Sequence, residues 1–67
     1  MIIATDLHIE TIRAQRIDAT AREMQAEGVM LSHEQADQLD DAALGWLRSR
    51  LGLVVRSTDR GVECSRA

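Results

Sequence analysis

Apolar residues return at helical spacing over most of this 67-residue chain and change to a strand-like pattern near its end. The pattern is clearest from Ser32 to Leu51, where Ala36, Leu39, Ala43, Trp46, Leu47 and Leu51 share one face and Leu44 lies at its edge. Ser32-His33-Glu34-Gln35 is a Ser-x-x-Gln capping box, which satisfies orphan backbone N–H groups at a helix start. Gly52 stands where a left-handed cap ends the helix. Upstream, Thr5 or Asp6 can cap a first helix over 5–27, with Gly28 as its stop. Leu7, Ala14, Ile17, Ala21 and Met24 line one face of that helix, while Ile9, Ile12, Ala19 and Ala26 fall on a nearly opposite one. A helix apolar on two sides is sandwiched between neighbours: the second helix on one side, a partner subunit on the other. A rival reading makes residues 2–9 a strand, because Ile3, Leu7 and Ile9 share parity.

Gly28-Val29-Met30-Leu31 then reads as a short linker tucked under the helix pair. After Gly52, Leu53-Val54-Val55-Arg56 and Val62-Glu63-Cys64 flank Thr58-Asp59-Arg60-Gly61, a turn sequence that predicts a β-hairpin over 53–64. The last residues, Ser65 to Ala67, read as frayed. The expected fold is mainly α: one small domain over 1–67, built on a two-helix hairpin (5–27 and 32–51), a short C-terminal β-hairpin, and dimerisation to complete the core.

Composition sharpens the case for association. The chain has one tryptophan, no Phe or Tyr and a single cysteine, so it has little aromatic surface to bury and no internal disulfide. A core this small rarely supplies more than ~3–5 kcal/mol without a staple. Association through Ile9, Ile12 and Ala19 is therefore expected. Net charge is −3, divided unevenly. Residues 1–44 carry three arginines against nine acids (−6), and residues 45–67 carry five arginines against Asp59 and Glu63 (+3). The acidic total argues against a nonspecific nucleic-acid binder. The N-terminus has no basic flank and meets Asp6 early, and no apolar run approaches the ~20 residues that span a bilayer, so a cytoplasmic protein without membrane contact is expected.

Asp40 fits its helix worst. In one continuous helix it projects among Ala36, Ala43 and Leu47, where a carboxylate needs a partner such as Arg50. Alternatively the helix breaks at Asp40-Asp41 and an aspartate caps a new helix. The continuous helix is preferred, because neither Gly nor Pro stands at the proposed break. On its solvent side Glu34, Asp37 and Asp41 form an acidic stripe ending at Arg48. The plain account of that stripe is complementarity to the helix dipole; the functional account is a surface that docks on a basic partner. Trp46, at the edge of the apolar face, completes the core or seals a contact. His8 and His33 lack second ligands at metal spacing, Cys64 lacks a basic neighbour in a loose tail, and neither a nucleophile elbow nor a phosphate loop is present. No catalysis, metal or cofactor is expected.

These features describe a small non-catalytic regulatory or inhibitory protein that binds a macromolecular partner, foremost a protein, through Glu34, Asp37, Asp41, Trp46 and Arg48. In size and composition alone it resembles phage- or plasmid-encoded regulators, including anti-CRISPR proteins. The broken-helix alternative resembles the winged-helix DNA-binding family over residues 32–64. Leu31 to Ala36 would then match the supporting helix, Ala43 to Leu51 the recognition helix, and Leu53 to Cys64 the wing. That resemblance implies a transcriptional regulator, with Arg48 and Arg50 approaching bases or phosphates and Arg56 and Arg60 on the wing. Gly45 within the recognition helix and Asp41 facing phosphate depart from it.

Overall fold

Two aspartates set the course of the chain. The computed structural model describes residues 1–66, which form β1 (Ile2–Ile3), α1 (Asp6–Ala14), α2 (Ala19–Glu27), β2 (Val29–Leu31), α3 (His33–Asp37), α4 (Asp41–Ser49), β3 (Leu53–Thr58) and β4 (Gly61–Arg66). Both long helices expected from the sequence are broken, each at an N-capping Asp. Asp18 Oδ1 accepts from the N–H groups of Thr20 and Ala21 at 2.9 and 3.2 Å, opening α2. Asp40 Oδ1 accepts from Ala43 N–H at 2.8 Å, opening α4.

The expected two-helix core with a short hairpin is therefore replaced by a mixed α/β domain whose four strands form one sheet in the order β1-β2-β4-β3. The reason is physical in both places. A continuous second helix would bury the Asp40 carboxylate, a cost of several kcal/mol without a partner; the break leaves Asp40 exposed and still buries Leu39, Ala43, Trp46 and Leu47. A continuous first helix would need cover on two sides. The break at Gln15, which takes a left-handed conformation (φ 52°), folds the chain back so that Ile9 and Ile12 of α1 and Ala21 and Met24 of α2 enter one core. Leu7 and Ile17, read as core-facing, are left exposed.

The segment Val29-Met30-Leu31 is not a linker. It is an inner strand of the sheet, parallel to β1 (Ile2 opposite Val29) and antiparallel to β4 (Val29 opposite Cys64, Leu31 opposite Val62). Parallel pairing of β1 with β2 is possible because α1 and α2 provide the crossover between them. Its alternation sends Val29 and Leu31 into the core and leaves Met30 on the other face, half-buried. Cys64 is fully buried beside Val29 rather than in a loose tail, because β4 continues through Ser65 to Arg66; Ala67 lies outside the described residues. The β3–β4 hairpin turns at Asp59-Arg60. Gly61 (φ 150°) is required there, since a Cβ would collide with the Leu31 carbonyl oxygen. The helices cover one face of the sheet. The opposite face carries Ile3, Met30, Val54, Arg56 and Glu63, none of them buried.

Side chains lock these pieces together at the joints. Gln35 closes the capping box by accepting from Ser32 N–H at 2.8 Å, and its amide donates to the Ala4 carbonyl at 2.9 Å, tying α3 to the end of β1. Gln25 of α2 donates to the Leu51 carbonyl at 3.0 Å, fixing the exit of α4. His8, buried in α1, accepts from Thr5 N–H through Nδ1 at 2.9 Å. An N–H can only donate, so the neutral ring carries its proton on Nε2, which faces Glu23 at 3.6 Å.

Candidate nucleic-acid interface

The break at Asp40 separates two short helices at the surface of the molecule. α3 ends at Asp37, Gln38 to Asp40 make a three-residue turn, and α4 begins at Asp41. In order and turn length these two helices are similar to a helix-turn-helix. The hairpin that follows returns β4 to pair with β2, so residues 19–66 run helix, strand, helix, turn, helix, hairpin. That order is similar to the winged-helix arrangement. The hairpin is blunt: only the Thr58–Gly61 pair extends beyond the last residue bridged to β2, and the turn lies against α3, with His33 Nε2 3.4 Å from the Asp59 carbonyl.

The residues singled out from the sequence divide between this surface and the core. Glu34 and Asp37 are exposed on α3, and Asp41 and Arg48 at opposite ends of α4. The stripe they form therefore spans two helices rather than one. Trp46 is not on it: at 6% exposure it is part of the core, a consequence of how few large apolar side chains the chain has to bury. Ile9 and Ile12, assigned to a subunit contact, are buried at 4% and 0% in the chain's own core, whereas Ala19 is exposed at the start of α2. Asp40 does not pair with Arg50.

Charge is distributed unequally along α4. Acids gather around its start (Glu34, Asp37, Asp40, Asp41), and arginines around its end and the hairpin (Arg48, Arg50, Arg56, Arg60, Arg66); all are exposed. The register places Arg66 opposite Leu53, so β4 brings it back to the end of the molecule where α4 delivers Arg48 and Arg50. This third arginine was not singled out from the sequence, because only strand register assigns it to that end. Among the described residues Arg16–Asp18 is an ion pair and the neutral His8 ring faces Glu23, so none of these five arginines is committed within the chain.

Burial pushes the Cys64 thiol up to about 11, with Arg48 opposing and Glu63 adding to the shift, so the sulfur is a protonated core atom at neutral pH. Among the described residues, no group of three or more His, Cys, Asp or Glu side chains could hold a metal ion. No helix among them is long and apolar enough to cross a membrane. Comparison with protein families, with characterised proteins and with solved structures finds no match to this chain.

Proposed function

We propose that this chain is a small, non-catalytic, cytoplasmic regulator that docks on duplex DNA through α4 and the β3–β4 hairpin. The observation that carries this reading is the Asp40-capped turn, which converts an unremarkable amphipathic segment into a helix pair similar to a helix-turn-helix and backed by a hairpin. The five uncommitted arginines supply the phosphate-binding charge that such docking needs. In this reading Arg48 and Arg50 approach the duplex from the end of α4, and Arg56 and Arg60 contact phosphates from the hairpin.

The test is the salt dependence of binding to duplex DNA selected from a random pool. Each phosphate contact contributes a slope of about −0.9 in log K against log salt. The double variant Arg48→Ala, Arg56→Ala should bind more weakly and lower that slope by about two contacts' worth. Absence of duplex binding even at low salt would sink the reading.

A second reading is favoured by one specific observation. Glu34, Asp37 and Asp41 crowd the start of α4, where phosphate would approach, and the chain leaves them without arginine partners. Such a corner suits a basic protein surface, and the chain would then act as an inhibitor occupying that surface. Asp37→Asn with Asp41→Asn separates the two: DNA affinity rises under the first reading, and partner-protein affinity falls under the second. A pull-down repeated after nuclease treatment gives the same separation, since a protein partner survives it.

A further inference from the structure

The two edges of the sheet are managed differently. β3, at one edge, carries Arg56, a charge of the kind that discourages strand-to-strand association. β1, at the other, carries Ile2 and Ile3, with no charge, proline or bulge. Its hydrogen bonds to β2 use Ile2 and Ala4: Ile2 N–H donates to the Gly28 carbonyl and Ala4 N–H to the Met30 carbonyl, both at 3.0 Å. In a parallel pair alternate residues turn both backbone groups to the same side. Ile3 therefore points its N–H and its C=O outward from the edge. Its side chain, on the helix-free face, is 73% exposed, the highest among the large hydrophobic residues, and Met1, 57% exposed, shares the adjoining groove with it. Next to Ile3 lies a groove of about 400 Å³, lined by Met1, Met30, Ser32 and Arg60 among others and free of acids.

We infer that β1 is a homodimer interface, with the β1 strands of two copies paired antiparallel about a two-fold axis through Ile3. An isologous contact must be self-complementary, and this edge meets that demand in three ways. A hydrogen-bonded antiparallel pair exchanges two N–H···O bonds between the same two residues, and Ile3 offers one donor and one acceptor on the same side. The opposed Ile3 side chains cover each other's apolar surface, and each copy brings an exposed apolar knob next to an apolar groove. In this register Met1 of one copy lies opposite Thr5 of the other. No acid of this net-negative chain lines the groove, so the contact joins apolar surface without opposing carboxylates there. The two four-stranded sheets become one of eight strands. The surface is separate from Ile9 and Ile12, and the inference does not depend on DNA binding.

The experiment is sedimentation equilibrium of the full chain from about 10 to about 500 µM, since self-association follows mass action. The mass is expected to rise from 7.4 kDa toward twice that value. Ile3→Glu sets two like charges opposite each other at the axis and should hold the protein at monomer mass, while Ile3→Val should still dimerise. Because Ile3 is exposed in the single chain, Ile3→Glu should unfold at the wild-type denaturant midpoint measured at monomeric concentration. Hydrogen exchange gives a residue-level reading: the Ile3 amide should become at least tenfold slower as concentration rises. A wild-type chain that stays at 7.4 kDa throughout, an Ile3→Glu variant that still dimerises, or an Ile3 amide whose exchange ignores concentration would each overturn the inference.

Discussion

The bend between α1 and α2 and the bend between α3 and α4 use the same device for different ends. Each stops a helix and restarts it on an aspartate cap. The first bend costs more: Gln15 takes a left-handed conformation, and Ile17 is left 47% exposed. In return it allows one chain to cover Ile9 and Ile12 without a partner. The second bend has no positive-φ residue, since Gln38 stays right-handed and Asp40 is extended. It keeps Leu39 and Leu47 buried and leaves the outer side of the helix pair open. One bend closes the core, and the other shapes a surface. Sequence periodicity reports apolar faces, and it reads the same whether a helix runs on or turns.

The largest expected effect separates the residues on either side of the first bend. Ile12→Glu places a carboxylate at a fully buried position and should unfold the subunit, a loss of at least ~4 kcal/mol. Ile17→Glu, on the exposed side, should change stability by no more than about 0.5 kcal/mol. Urea titrations followed by circular dichroism make the comparison. A continuous, two-faced first helix requires the opposite order.

The second bend is probed at its cap. Asp40→Leu should destabilise by ~1 kcal/mol and Asp40→Asn should be nearly silent, because asparagine caps as well as aspartate. A Leu variant as stable as wild type would mean that the helix tolerates continuity here. At the first bend, Gln15→Gly should raise the unfolding midpoint. Relief of the left-handed backbone, about 1 kcal/mol, exceeds the extra entropy glycine gives the unfolded chain.

The smallest effect is on acid stability. The Asp18 carboxyl is held below its ordinary 3.8, chiefly by the Ala21 N–H, against some desolvation, with the Thr20 N–H and Arg16 also lowering it. A depressed carboxylate stabilises the fold above its unfolded-state value, and the contribution disappears as pH falls through the folded one. Titrating stability from pH 5 downward should therefore show a loss that is smaller in Asp18→Asn, which keeps the cap but has no proton to gain.

The local signals of this fold were legible where one short motif carries the whole geometry. Ser32 with Gln35, Gly28 at the end of α2, and the turn at Asp59-Arg60 are of that kind. Strand β2 was not legible, because three apolar residues cannot display alternation, and only pairing with β1 and β4 reveals it. The break at Asp40 was legible as an alternative, because a carboxylate stood on the apolar face, but with neither Gly nor Pro at the break the periodicity favoured one continuous helix. The break at Asp18 announced itself only indirectly, as a helix with too many apolar sides, which was read as a missing subunit. For the candidate surface, Arg48, Glu34, Asp37 and Asp41 could be read as exposed from periodicity. Trp46 could not be placed, since a tryptophan at the edge of an apolar face serves core and interface equally well.

The buried thiol of Cys64 gives the chain an internal clock. Its sulfur is sealed between β4 and the helices and protonated at neutral pH, so an alkylating reagent reaches it only after that core has opened. The chain has no other thiol to react in its place. The rate at which Cys64 is labelled in native buffer therefore reports how readily the core around it opens, without any denaturant.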